Sequence, residues 1–411
     1  MKRGYISVLL LAAVLLPAAL ADHAIKPHPK ILWNVKAYPT PPNPETTGVA
    51  AVEFSPEDEQ IIAAGWDGSI KFLNRSNGIA SRTIFAHTGA VHSVSISKDG
   101  LLLASGGADR MLNLWRVSDG TLLRRINAHT TAVYSVAFSP DASLVISGGG
   151  PDYQLKIWRT ADGELVRSIH GNGGGGHGTE NGMYSVAFAP NGQYVAGSGL
   201  EVWRLDGTVV RATQPSSVEA ETWAHVKFMP DSKRVVGSVL YGVWARGIEE
   251  ETGFYAAISL NPAIAISADG RSLVTVIGVR GYACPSTWNV MPQDDGDFRQ
   301  HRQGEIWNYR CIDGECALEF SWLALDPRMR TMAAGSYSGE VLLFELPIWI
   351  SAIQRNGNQL NLQWQGGSGN YQLQKLTPPG TWQDLGGPVT NQAVSLDIDS
   401  SMALLRVRNV P

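Results

Sequence analysis

The sequence predicts an all-β fold: a seven-bladed β-propeller followed by a small β-sandwich. Three observations predict it: a turn motif that recurs seven times, alternating strands between the copies, and a change of pattern after residue 347. The start of the chain is different in kind. Met1-Lys2-Arg3 is basic, residues 6–16 are apolar, and Pro17-Ala18-Ala19-Leu20-Ala21 ends in the small-residue arrangement that signal peptidase cuts. The apolar run is shorter than the roughly 20 residues that span a bilayer. Residues 1–21 therefore read as a cleaved secretory signal. The mature chain is expected to begin near Asp22, secreted or periplasmic, with no membrane span left.

Composition agrees with a β-rich globular protein. Of 411 residues, 44 are Gly and 22 Pro, spread as turn punctuation, and 44% are hydrophobic, enough for a large core. Net charge is −4, and the 17% of charged residues form no basic block, which excludes a nucleic-acid partner.

The repeated motif is an apolar residue, a small residue, then Pro or another turn former and an acidic or amide residue. It appears at Phe54-Ser55-Pro56-Glu57, Ile96-Ser97-Lys98-Asp99, Phe138-Ser139-Pro140-Asp141 and Phe188-Ala189-Pro190-Asn191. Phe228-Met229-Pro230-Asp231, Ile266-Ser267-Ala268-Asp269 and Leu325-Asp326-Pro327-Arg328 complete the set. Proline pre-sets φ for a tight turn, and Asp or Asn closes it. An alternating strand precedes each motif, and two or three more follow it. The third strands end as Leu112-Asn113-Leu114-Trp115, Leu155-Lys156-Ile157-Trp158, Glu201-Val202-Trp203, Gly242-Val243-Trp244 and Glu305-Ile306-Trp307. Residues 70–73 and 341–344 fill that slot in the outer copies. Four short strands every 40 or so residues is the signature of propeller blades.

At these residues the chain resembles the WD-repeat family over roughly residues 30–347, most closely where Ala86-His87 and Ala128-His129 replace the family's Gly-His. The resemblance implies a buried hydrogen-bonded tetrad in two blades. By position these are His87, Ser105, Asp109 and Trp115, then His129, Ser147, Asp152 and Trp158. Asp67 keeps the turn position in the first copy, whose blade lacks the His and the Trp. No copy keeps the family's Asp after the Trp, and blades four to six lack the turn Asp.

The last copy ends with its third strand. Residues 31–38, ahead of the first copy and a Pro-rich loop, are expected to supply the missing outer strand and close the ring. By the same resemblance, residues at the start of the first strands and beside the second-to-third-strand turn ring the narrow face. These are Trp66, His92, Tyr134, Tyr184 and Tyr337, mostly aromatic, a composition that suits contact with a protein or a carbohydrate.

Two insertions interrupt the pattern. Residues 170–182 are glycine-rich and read as a flexible surface loop. They lack the Lys-Ser/Thr of a phosphate loop, and metal binding by His170 and His177 is the competing reading. Residues 278–304 form a long insertion in blade six, and long loops in compact folds are functional or disordered. Three cysteines in a secreted chain permit one disulfide. Cys311 and Cys316, flanking a four-residue turn, are the expected pair, with a Cys284 bridge to either as the alternative.

Residues 348–411 alternate with period two between Gly- and Pro-marked turns. They resemble a small fibronectin-type-III-like module of secreted bacterial proteins. No G-x-S-x-G, H-E-x-x-H or paired-carboxylate motif occurs, so no catalytic residue, cofactor or metal is expected. The WD-type residues are structural, and the resemblance implies a non-catalytic scaffold that binds protein partners. A carbohydrate-binding propeller is the alternative, and a propeller-based enzyme a more distant one.

Overall fold

A computed structural model describes residues 30–40, 48–57, 59–150, 152–171, 182–211, 225–239, 242–249 and 253–257, then shorter segments between 263 and 410. The signal-like residues 1–21, the cysteines, His177 and most of the two insertions lie outside the described residues. Every regular element among the described residues is a β-strand. The chain divides into two compact units. The larger is Trp33–Leu325 with Ala333–Leu343, and the other is Met1–Leu32, Asp326–Met332 and Phe344–Pro411.

Seven four-stranded sheets follow one another among the described residues. Sheet one is Val49–Phe54, Gln60–Gly65, Ser69–Asn74 and Ala80–Phe85. Sheet two is Val91–Ile96, Leu102–Gly107, Met111–Arg116 and Leu122–Asn127. Sheet three is Val133–Phe138, Leu144–Gly149, Gln154–Arg159 and Leu165–His170. Sheet four is Val186–Phe188, Tyr194–Gly197, Glu201–Arg204 and Val209–Arg211. Sheet five is His225–Phe228, Arg234–Val239, Gly242–Gly247 and Gly253–Ala257. Sheet six is Ala263–Ile266, Ser272–Ile277, Thr287–Pro292 and Glu305–Asn308. Sheet seven holds Phe320–Leu325, Thr331–Ser336 and Glu340–Glu345, with Lys30–Lys36 hydrogen-bonded at its outer edge.

Burial explains the strand sequences. In sheets one to three, the second strands are buried at five of six positions, because both faces meet a neighbouring sheet. Such strands must be apolar or small on both faces. The fourth strands are largely exposed and correspondingly polar, as in Leu122–Asn127. The turn motif works by local hydrogen bonding. Ser139 Oγ donates to Asp141 Oδ1 at 2.6 Å and accepts from Leu144 N at 3.0 Å, while Ser143 N donates to Asp141 Oδ1 at 3.1 Å. Ser97 and Asp99 repeat the arrangement in sheet two.

Among the described residues, side chains tie neighbouring sheets together at both the inner and the outer edge. At the inner edge, a first strand has unpaired amides, which side chains of the preceding sheet satisfy. Ser93 Oγ accepts from Val136 N at 3.2 Å, Ser135 Oγ from Val186 N at 3.0 Å and Ser185 Oγ from Val226 N at 2.9 Å. At the outer edge, Arg82 donates to the carbonyls of Val117 (2.5 Å) and Ser118 (2.7 Å), and Arg124 to that of Ala161 (2.7 Å). Gly120 and Gly163, at φ 75° and 79°, let the next sheet's turn approach these arginines and the isoleucines two residues on.

The N-terminal strand makes the same contact with sheet one. Gly78, φ 71°, faces Trp33 and Val35, and Trp33 Nε1 donates to Arg75 O at 2.7 Å. Trp33 and Val35 thus stand to sheet one as Arg82 and Ile84 stand to sheet two. Tyr38 N donates to Gly339 O at 2.9 Å, and Gly48 N to Tyr337 O at 2.9 Å.

Sheets six and five each correct a sequence expectation. The third strand of sheet six is Thr287–Pro292, inside the expected insertion 278–304, and Glu305–Asn308 is the fourth. In sheet five Trp244 pairs with Gly237, whereas the position matching Trp203 is held by Arg246, opposite Val235. Both errors have one cause. A strand ending in Trp reads as a third strand in its usual register, but strand order and register follow the ladder and its apolar partners, and one aromatic residue does not fix either.

The C-terminal strands form two three-stranded antiparallel sheets. One runs Trp349–Asn356, Gln359–Gln365, Ala393–Asp397, and the other Thr381–Asp384, Asn370–Thr377, Leu405–Val410. Tyr371 and Leu373 are buried in the second.

Candidate functional site

The tetrad residues come together in sheets two and three. His87 Nδ1 lies 2.7 Å from Asp109 Oδ1 and its Nε2 2.8 Å from Ser105 Oγ, to which Trp115 Nε1 donates at 2.9 Å. In sheet three the distances are 2.9 Å for His129–Asp152, 2.8 Å for His129–Ser147 and 2.9 Å for Trp158–Ser147. Each chain of four spans the sheet from its second-to-third-strand turn to the third strand. Both imidazoles are fully buried, and burial lowers their pKa against the opposing pull of the Asp carboxylate. Asp109 and Asp152 also cap their turns, accepting from Met111 N at 3.2 Å and Gln154 N at 3.2 Å. The hydroxyls are buried and saturated, so the arrangement is built to hold a sheet rigid.

Sheet one fills the same slots with different chemistry, which the sequence reading missed. Tyr38 stands where His87 and His129 stand: a Cβ on Gly65 would strike its ring, as Cβ atoms on Gly107 and Gly149 would strike the two histidines. Ala63 replaces the serine, so the Tyr38 hydroxyl donates to the Ala63 carbonyl at 2.7 Å. Burial pushes this phenol well above its usual range. Lys71 Nζ lies over the Tyr38 ring and donates to Ala37 O, as Lys156 donates to Ala128 O and Asn113 to Ala86 O. Ala37-Tyr38 therefore matches Ala86-His87. The Pro-rich loop between Tyr38 and sheet one stretches the spacing to Asp67 and hid the match. Asp67 itself caps only its own turn, through Ser69.

Three of the five expected surface residues form one continuous aromatic row. His92 stacks on Tyr134, with centroids 4.7 Å apart and planes at 19°. Tyr134 in turn meets Tyr184 edge-on at 4.8 Å and 76°. These residues occupy one register position, two before the buried Val of each first strand, so three successive sheets present them at the same end. All three are half-buried. Burial lowers the His92 pKa to about 4, with the His87 charge adding to the effect, so it is a neutral ring at physiological pH. Trp66 and Tyr337 lie at the same end beside Gly48, whose amide donates to the Tyr337 carbonyl and whose carbonyl accepts from Trp66 N at 3.3 Å. Trp66 Nε1 donates to Pro39 O at 2.9 Å, which orients the indole. Among the described residues no group of three His, Cys, Asp or Glu side chains has metal-site geometry. His170 is exposed, with the Tyr153 ring 6.3 Å away.

A family model for the WD domain, G-beta repeat, matches residues 40–74, 78–116, 120–159 and 163–210. The matches starting at 78, 120 and 163 each open with the outer strand of one sheet and run through the third strand of the next, the last also entering the fourth strand Val209–Arg211. The sequence repeat is thus one strand out of step with the sheet. Small ribosomal subunit protein RACK1 of Caenorhabditis elegans is 41% identical over 59 residues, 14% of this chain and 18% of that protein. The alignment therefore spans less than a fifth of the relative. WD-repeat proteins are in general non-catalytic interaction scaffolds. Four stretches of this chain are thus similar to the WD domain, G-beta repeat, and the repeated four-stranded antiparallel sheets agree with that similarity.

Proposed function

We propose that the chain is a secreted, non-catalytic WD-repeat scaffold whose seven sheets are the blades of one closed propeller. On this reading a protein partner docks on the end that carries the aromatic row. The observation that carries it is the continuous His92–Tyr134–Tyr184 row, presented by rigid neighbouring sheets and still half open to solvent. Aromatic side chains on a fixed frame give large contact area at low entropic cost, and such residues dominate protein interfaces. Trp66 and Tyr337 extend the surface beside Gly48.

Closure of the ring is supported by the N-terminal strand. It lies at the outer edge of sheet seven and meets sheet one through Trp33, Val35 and Tyr38 in slots that outer strands occupy elsewhere. The first strand of sheet one also lies beside that of sheet seven. Secretion is supported by the basic, apolar and small-residue order of residues 1–21. The C-terminal strands fit a small sandwich of fibronectin type III kind, and Cys311–Cys316 is the disulfide that secretion would permit.

The surface is tested by chemical cross-linking and capture from the secreted and envelope fraction of the producing cell. The doubly substituted Trp66→Ala, Tyr134→Ala protein should retain its unfolding free energy within about 1 kcal/mol and lose the wild-type partner. Retention of that partner by a folded double variant overturns the assignment. Retention of the wild type on polysaccharide columns, lost in the same variant, favours the carbohydrate reading instead.

A further inference from the structure

The first strands of the seven sheets carry small side chains at two alternating positions, one and three residues before the apolar residue that ends the strand. Ser95, Ala137 and Ala187 are typical of the nearer position. Among the fourteen such residues only four are neither Ala nor Ser: Glu53 of sheet one, His225 and Lys227 of sheet five, and Trp322 of sheet seven. They are also brought into relation. His225 meets Trp322 edge-on, with centroids 4.7 Å apart and planes at 77°, reaching past the intervening first strand of sheet six. The charges of Glu53 and Lys227 act on each other although their sheets are not neighbours.

Glu53 sits in a slot that a hydroxyl fills one sheet on. Its Oε2 accepts from Ile96 N at 2.9 Å, as Ser95 Oγ accepts from Phe138 N at 3.3 Å. A serine suffices for that bond. The carboxylate brings a second oxygen, which has no hydrogen bond or ion pair among the described residues. The Lys227 ammonium is likewise without either, and both side chains are half-buried and still reached by solvent. Burial raises the Glu53 pKa to about 7 and lowers that of Lys227, while the charge of each partner opposes the shift. Two partly desolvated groups of opposite sign thus stand on first strands within reach of each other's charge without pairing, and a ligand bridging the space between them would offset that cost.

We propose that this space binds the α-amino acid head group of a small molecule, with its carboxylate on Lys227 Nζ, its ammonium on the free Glu53 oxygen, and Trp322 and His225 as an aromatic wall. The charge pattern selects the class. A phosphate or dicarboxylate sets negative charge against Glu53, and a diamine sets positive charge against Lys227. A zwitterion satisfies both. The site is distinct from the aromatic row and does not depend on it.

The test is isothermal titration calorimetry of the full chain with each of the twenty common L-amino acids, with acetate and methylammonium as single-charge controls. Saturable binding of at least one amino acid is expected. It should weaken by roughly tenfold or more in Glu53→Gln and in Lys227→Met, and persist in Lys227→Arg. Glu53→Gln keeps an acceptor for Ile96 N, and Ser95→Ala, which removes the matching hydroxyl bond without touching charge, should bind as wild type. Absence of saturable binding by every amino acid overturns the proposal. So does acetate binding as tightly as the best amino acid, or a folded Lys227→Met protein that binds unchanged.

Discussion

At the residue scale, Ser105 and Ser147 each accept from a tryptophan and engage a histidine, and neither aromatic nitrogen has another partner in its sheet. Ser147→Ala leaves two buried groups unsatisfied and is expected to cost about 1–3 kcal/mol in urea unfolding. Arg110, exposed at φ 71° after the turn Asp109, sits where Gly68 sits in sheet one. Arg110→Gly is expected to raise stability by about 0.5–1 kcal/mol, the left-handed strain exceeding the added freedom of the unfolded chain. The inner-strand charges set a pH dependence. Glu53 is raised from 4.5 to about 7, so the folded state holds its proton more tightly, and stability falls as pH rises through that window. His225 is lowered to about 3 by burial and Lys227, so its contribution is lost as pH falls below about 6.5. Thermal unfolding across pH 5 to 8 should show Glu53→Gln gaining on wild type with rising pH. Parallel curves would contradict this assignment. The tetrads were legible because Asp, His, Ser and Trp recur at near-constant offsets. Tyr38 was not, because a tyrosine in a histidine slot with a longer loop after it breaks both identity and spacing.

At the scale of single elements, the first-strand motif located the first strand of every sheet because Ser-Pro-Asp chemistry is local and complete within six residues. Third and fourth strands carry no such local turn signature, and their register is set by the ladder to the strand before them, so the expectation fails at Trp244 and at Glu305–Asn308. The N-terminal strand is the element whose role is most exposed to experiment. Tyr38 is among the largest fully buried side chains, and its ring fills the space over Gly65. Tyr38→Phe should lose about 1 kcal/mol, one hydrogen bond to Ala63. Tyr38→Ala should lose about 3–5 kcal/mol, as for other large aromatic truncations. Equal losses in the two variants would mean that the hydroxyl, rather than the ring, anchors the strand.

At the scale of the whole molecule, the seven-copy motif made the repeated sheet architecture readable from sequence. Its partnering with neighbours was not readable, because the bonds from Ser93, Ser135 and Ser185 to the next sheet look like ordinary strand serines in one dimension. The secretory reading makes a further prediction: N-terminal sequencing of the extracytoplasmic protein should start at Asp22. A retained Met1 would contradict it.

The strand Lys30–Lys36 has a kinetic consequence. Lys36 meets the carbonyl of Ser338, 302 residues away, and the outer edge of sheet seven is made from the earliest part of the described chain. During vectorial synthesis or export that strand must wait, unpaired, until almost all of the larger unit has emerged. Contacts of such long sequence separation are slow to form. The last ladder to zip should therefore be the rate-limiting, concentration-sensitive event, since a waiting edge can also be captured by another molecule's unfinished sheet. Refolding yield that falls with protein concentration, restored by adding the peptide of residues 30–38 to a chain lacking it, is the signature to look for.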